Sequence, residues 1–484
     1  MTPPVAIAQF VNVESREVAA AYQRVHGVEP APSDLYHNAW RRLVEGWTHR
    51  AILSDIEGPP DPDPDPDPGQ RHGLVRPEGR AVRDDGGAFH PLGLTFFWAM
   101  QGWKHERDHF MANAEWAAKR FDYVRDLSEV GWAGREIDPS APQWSDWGTV
   151  RREVLDAYRS LGLRAELTLL GKGTNTDPVW LAQQIVTLLN EGRHDLVMDI
   201  ETCNEYPSEL WDAMQAMARV LRAGTPNIVA LSSPGDAELL RSTALDRGLT
   251  GFTHHWDRGG GDFKWRQVRQ AYDAKDSRPL VCFANEPAGP GSSVVTQVNP
   301  LQLAMTRAVG VMCGAAGYVL HTGTGVFGDG KPGPTGPRPA NFWEIDNIDA
   351  IVSAVRRVEA LLPEGVENWQ VANTQWVPPN PVAPFQPHHH WEGDDEKDKD
   401  GLTNDGVNKA YSALSGDGRW IQMPIGVRGH VALRASYPLT EVVAYDPLTL
   451  QPVEPARSFD TGEILDLPGG GQDAMVAYII QGRR

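Results

Sequence analysis

The chain reads as an α/β protein: a (β/α)8 barrel of the TIM type, with a small helical module in front and an antiparallel β-sandwich behind. Three observations predict this. Between residues 89 and 362, strand-like apolar runs alternate eight times with segments of helical period, which fits such a barrel in order and in length. Ahead of that region lies PPDPDPDPDPG at residues 59–69, which can form neither a helix nor a sheet ladder. Past residue 363 the helical period stops and short alternating runs take over.

Taken in order, residues 1–57 form the helical module. SREVAAAYQRVHG and SDLYHNAWRRLVEGWTHRAILSDIEG carry helical apolar spacing, and Ser15 and Ser33 fit N-caps. The stretch from Ala21 to Gly58 resembles short helical repeats of extracellular and phage-associated proteins. Residues 58–73 are an extended, charged spacer. The barrel spans 74–376 and opens with a hairpin, LVRPEGRAVRDDGGA, turning at Asp-Asp-Gly-Gly. Its strands are expected at HPLGLTFFWA, FDYVRDLSEVG, RAELTLLG, DLVMDIET, NIVALSSP, GFTHHW, PLVCFAN and GYVLHTG. Helices lie between them, several with clear starts such as Asp177-Pro178 and Ser208. Residues 377–484 are a connecting loop and the sandwich, with strands at RWIQMPIG, HVALRAS, EVVAYDP and AMVAYIIQG.

Composition narrows the partners. At a formal charge of −19 over 484 residues, the surface repels nucleic acid and anionic membranes. The three cysteines, Cys203, Cys282 and Cys313, sit in apolar patterns and read as buried thiols rather than disulfides. MTPPVAIAQFVNVESREV lacks the pattern of a secretory leader, and no 18-residue apolar run is present. Localisation stays open between extracellular action and association with a virion, and the N-terminal module is a candidate tether to a larger assembly.

Two Asn-Glu dipeptides carry the chemistry. Asn204-Glu205 follows LVMDIETC and Asn285-Glu286 follows RPLVCFA, 81 residues apart, about three strand-plus-helix units. They end the fourth and seventh strands, and the C-terminal strand ends of such a barrel are where its chemistry takes place. Two carboxyls placed there are what hydrolysis of a glycosidic bond needs.

This arrangement is similar to the clan A glycoside hydrolases, the cellulase and mannanase superfamily. DDGGAFHPLGLTFFW, leading into the first strand, is similar to that clan as well, and the resemblance spans about residues 74–362. It implies a retaining mechanism, with the two carboxyls about 5–5.5 Å apart. Glu205 would be the acid/base and Glu286 the nucleophile. Asn204 would hydrogen-bond the sugar 2-hydroxyl. Arg125, in DYVRDLSE, matches a second-strand arginine of the clan that supports the nucleophile, against a competing reading as a structural ion pair. The substrate would be carbohydrate, and the reaction would need no cofactor.

The remaining candidates follow the same frame. His254, His255 and Trp256 end the sixth strand, where the clan places an aromatic or a histidine; neighbours on a strand face opposite ways, so only one histidine can face the site, and the parity between His255 and Trp256 stays open. His321 ends the eighth strand, where many members carry a tryptophan platform, and this departure leaves the sugar open. The loop TGTGVFGDGKPGPTGPRPANFWE reads as a substrate loop carrying Trp343 rather than a phosphate grip, because no helix start follows its glycines closely. Trp98, Trp103, Trp132, Trp144, Trp147, Trp256 and Trp343 all fall at or beyond strand ends, divided between sugar platforms and packing. Asp199 and Glu201 precede Glu205 in the fourth strand; residues of one parity face the interior, so Asp199 or Glu201 is expected to point inward and pair with a cation such as Arg125, a structural role being favoured over a catalytic one. His388 to His390 with Asp394, Asp395, Asp398 and Asp400 suggest a metal, but the terminal acid of a calcium loop is missing, and a solvated charge run fits better.

Two rival classes remain. One is a non-catalytic carbohydrate-binding or phage-virion structural protein on a barrel scaffold. The other is a phosphate-handling barrel, which would need a glycine-lined helix start after the seventh or eighth strand, where ANEPAGPGSS stands instead.

Overall fold

The computed structural model describes residues 71–131, 135–171, 174–204, 211–234, 249–255, 280–286, 289–290, 299–326, 332–333, 336–337, 339–373, 383–387, 409–427, 429–470 and 476–484. The helical module, the Pro/Asp spacer, the helices expected at 236–248 and 263–275, and the His/Asp run lie outside them.

The chain enters through a three-stranded meander, β1 (Arg76–Glu78), β2 (Ala81–Asp84) and β3 (Gly87–Phe89). Its second turn is the one expected at Asp-Asp-Gly-Gly: Asp85-Gly86 joins β2 to β3 as a two-residue loop, and the Asp84 carboxylate accepts from the Gly86 N–H at 2.9 Å.

Eight parallel strands then close a barrel: β4 (Leu92–Thr95), β5 (Tyr123–Leu127), β6 (Arg164–Leu170), β7 (Val197–Cys203), β8 (Val229–Pro234), β9 (Gly251–His255), β10 (Val281–Ala284) and β11 (Ala315–Leu320). β10 pairs with β11, and β11 with β4, so no edge is left. Around it the described helices are α1 (Ala99–His105), α2 (Arg107–Ala118), α3 (Trp147–Leu161), α4 (Pro178–Asn190), α5 (Trp211–Gly224), α6 (Pro300–Met312) and α7 (Ile348–Arg357). Their starts follow local chemistry. Asp177 caps α4 by accepting from Val179 and Trp180, and Asn299 caps α6, each just ahead of a proline at the first helical position. None of these helices is long and apolar enough to cross a membrane.

The floor of the barrel is apolar. Val75, Val82 and Phe89 of the meander cluster with Tyr123, Val281, Phe283, Ala316 and Val319 from the strands. Large and small residues alternate there. A Cβ at Gly93 would lie 2.5 Å from the Tyr123 ring, and one at Gly317 would lie 2.4 Å from the Phe283 ring. The meander is tied down by Arg164 at the start of β6, which donates to Asp84 at 2.8 Å.

A short antiparallel pair, β12 (Pro332–Gly333) and β13 (Gly336–Pro337), follows β11, and past the barrel two antiparallel sheets face each other. One holds β14 (Gln370–Asn373), β16 (Lys409–Leu414), β17 (Arg419–Val427), β19 (Leu439–Tyr445), β20 (Pro452–Phe459), β22 (Val476–Ala477) and β23 (Ile479–Arg483). The other holds β15 (Phe385–Pro387), β18 (Gly429–Ala435) and β21 (Ile464–Gly470). Phe385, Leu433 and Leu467 from the small sheet pack with Trp420, Val442 and Ile480 from the large one, a sandwich core. The opposite face of the large sheet, through Tyr411, Ile421 and Ile479, joins the core of the barrel, which also holds Val358, Leu361 and Trp369.

Candidate active site

β10 ends at Ala284, so Asn285 and Glu286 sit just past the C-terminal end of the seventh barrel strand. β7 ends at Cys203, so Asn204 takes the same place on the fourth. Asn204 and the pair Asn285 and Glu286 thus stand just past the C-terminal ends of two strands three apart around the barrel. Glu286 is 3% exposed; Glu205 lies outside the described residues.

Arg125, in the middle of β5, organises this mouth. Its Nη1 donates to Glu286 Oε1 at 2.8 Å. Its Nη2 donates to Asn204 Oδ1 at 2.8 Å and to Glu201 Oε2 at 2.7 Å. Its Nε reaches Thr168 Oγ1 at 3.1 Å and lies 3.2 Å from Glu166 Oε1. Burial alone would favour the neutral guanidine, but Glu201, Glu286 and Glu166 more than offset it and hold the group firmly protonated. Because arginine only donates, Asn204 must turn Oδ1 toward it, which leaves the Asn204 amide N–H groups for another partner.

Glu201 accepts from four side chains: Arg125 and Thr168 on Oε2, Thr253 and Asn285 on Oε1, the last three at 2.6, 2.6 and 2.8 Å. Parity therefore does place Glu201 inward against Arg125. Asp199 faces inward too, but neither of its carboxyl oxygens has a hydrogen-bond partner among the described residues. Burial, then Glu166 and Glu201, push its carboxyl well above the usual range. Glu166 on β6 is a residue that sequence reasoning missed. Burial pushes it up to about 8, with Arg125 opposing and Glu201 adding to the rise.

The aromatic candidates divide. Trp98 is 1% exposed and packed. Trp144 and Trp147 are buried, and their indole N–H groups donate to the carbonyls of Glu136 and Ser128. Trp103 donates to Glu153 at 2.7 Å. Trp343, in a short 3-10 turn after the eighth strand, is 43% exposed. His321 is buried, 3.2 Å from Thr95 Oγ1 through Nδ1, and meets the Phe97 ring edge-on. The backbones of His254 and His255 end β9, while Trp132 and Trp256 lie outside the described residues. Trp180, at the start of α4, is exposed as well and stood in an apolar helix pattern that gave no hint of it.

No protein-family model and no curated protein matches the chain. Solved structures do. A glycoside hydrolase aligns with a TM-score of 0.56 at 11% identity, over 86% of this chain and 97% of its own. A family 5 glycoside hydrolase from Bacteroides vulgatus ATCC 8482 aligns with a TM-score of 0.55 at 12% identity, over 85% and 93%. The likeness is one of fold, and the closed parallel barrel with its appended antiparallel sheets states the same thing in strand order. This chain shares its fold, a closed parallel (β/α)8 barrel with appended antiparallel sheets, with these glycoside hydrolases.

Proposed function

We propose that the chain is a glycoside hydrolase that cleaves O-glycosidic bonds of a poly- or oligosaccharide by double displacement. The observation that carries this is the Arg125 bridge. One buried cation binds Glu286 at the end of the seventh strand and Asn204 at the end of the fourth, each at 2.8 Å. A guanidinium holds a carboxylate charged and oriented, the form in which it acts as a nucleophile.

In this reading Glu286 attacks the anomeric carbon while Glu205 protonates the departing oxygen. A glycosyl ester on Glu286 results. Glu205, now ionised, takes a proton from water, the water oxygen attacks the anomeric carbon, and the ester bond breaks to release Glu286. Asn204, its Oδ1 occupied by Arg125, keeps amide N–H groups to donate to the sugar 2-hydroxyl. Trp343, 43% exposed, supplies an open aromatic face on which a sugar ring can stack.

The test is a panel of aryl glycosides and polysaccharides offered to wild type and Glu286→Ala, with a mechanism-based fluorosugar as label. Turnover that vanishes in the variant, with the label on Glu286, is the expected result. Sugar binding with neither turnover nor label on any substrate would favour the non-catalytic carbohydrate-binding reading instead.

A further inference from the structure

Four carboxyl groups surround Arg125, and they are not equally served. Glu201 accepts from four side chains, and Glu286 accepts from Arg125 Nη1. Glu166 has Asn285 on Oε1 at 2.8 Å, with nothing on Oε2 among the described residues. Asp199, its register partner on β7, has nothing on either oxygen. Both are fully buried, two residues deeper along their strands than Thr168 and Glu201. An ionised carboxyl buried without donors is far less favourable than its neutral acid. One guanidinium cannot neutralise four such charges.

We propose that Glu166 and Asp199 are positioning residues that hold protons in the working protein, leaving Arg125 to Glu201 and Glu286, and that ionisation of Glu166 draws Arg125 away from Glu286.

The surroundings of Glu166 agree from every side. β5 presents Arg125 and Tyr123, β7 presents Asp199 and Glu201, and β10 presents Asn285 and Glu286. Arg125 is the only cation in that set. Its Nε already lies 3.2 Å from Glu166, so a new charge there competes directly with Glu286 for the guanidinium. The proton on Glu166 lasts until about pH 8, within the range an enzyme meets. Tyr123, below, is held neutral by burial, so it adds no charge.

The consequence for Glu286 rests on the glycosidase reading, but the retained protons do not. Two measurements separate them, made on the full chain as wild type, Glu166→Gln and Asp199→Asn. Infrared difference spectra taken across a pH titration report the carbonyl stretch of protonated carboxyls. We expect such bands at neutral pH, one absent from each variant, with the Glu166 band fading in wild type about a midpoint of pH 8. The second measurement is kcat/KM against pH on any substrate turned over. Wild type should lose activity above that midpoint, and Glu166→Gln should carry the alkaline limb upward by about one pH unit or more. Absence of protonated carboxyl bands in wild type at neutral pH overturns the proposal. So does an alkaline limb that stays fixed in Glu166→Gln, which would assign it to Glu205 alone. If no substrate is turned over, the glycosidase reading fails, yet the infrared bands still decide the protonation of Glu166 and Asp199, Asp199→Asn serving if Glu166→Gln does not fold.

Discussion

Arg125 on β5 and Glu286 past β10 start three strands apart around the barrel, and their side chains meet at 2.8 Å. The contact crosses the barrel interior, so it depends on closure of the sheet and not on any local motif. It also binds stability and activity to one side chain.

Arg125→Met should therefore harm both. It strips the cation from Glu201 and Glu286 together, and removing one partner of a buried ion pair typically destabilises by about 3–5 kcal/mol. Arg125→Lys keeps the charge but loses the fork that reaches Glu286, Glu201 and Asn204 at once. We expect it to fold and to lose about 10²-fold or more in kcat/KM. Denaturant unfolding and steady-state kinetics on both variants check the pair; a lysine variant of wild-type activity would contradict it.

Stability should fall as pH rises, in a window set by Glu166. An unfolded chain releases this proton near its ordinary value of 4.5, whereas the folded chain keeps it to about 8. Between those values the folded state binds more protons, so unfolding becomes easier by about 1.4 kcal/mol per pH unit for one such group. Its contribution is whole below 4.5 and gone above about 8. Asp199, raised by burial and then by Glu166 and Glu201, acts in the same direction. Unfolding wild type and Glu166→Gln side by side across this range isolates the effect: the variant should gain on wild type as pH rises. Curves that run parallel would count against the raised Glu166.

Gly289 follows Glu286 by three residues and packs against His321. A Cβ there would lie 2.1 Å from the His321 carbonyl oxygen, a backbone atom of the next strand end that cannot swing aside. Gly289→Ala should push the chain here away from His321 and move Glu286 from Arg125. Misplacing a reacting group by about 1 Å is worth on the order of 10²-fold in rate. Turnover should drop far more than melting temperature; equal losses would mark the contact as structural only.

Gly317→Ala tests the floor instead. Its Cβ would strike the Phe283 ring at 2.4 Å and approach the Tyr123 hydroxyl at 3.1 Å. Overpacking of this kind typically destabilises by about 1–3 kcal/mol. Thermal unfolding should register it, while any turnover at temperatures where the variant is folded stays close to wild type.

Much of this was legible in the sequence, and for identifiable reasons. A strand that ends in Asn-Glu announces itself because apolar residues stop where the chain reaches the mouth, as at Ala284 and Cys203. Glu201 could be read inward from parity because it shares a face with Asp199. Glu166 could not. RAELTLL offers one acid in an apolar strand, and whether that face looks at water or at Arg125 depends on a neighbouring strand 41 residues away. β20 escaped for a related reason: PVEPARSF is mostly exposed and carries two prolines, so it has neither alternation nor an apolar run to betray a strand. The tryptophans show the limit most plainly. Their place at strand ends was readable, but whether a ring lies open, as in Trp343, or is packed, as in Trp98, is settled by distant chain.

The meander under the barrel has a consequence of its own. With Val82 and Phe89 stoppering the lower end, the barrel is a blind well. Glu166 and Asp199 lie inside it, deeper along the strands than Glu286 and Asn204, and both are fully buried. The charge on either acid can therefore change only as fast as protons cross that packing.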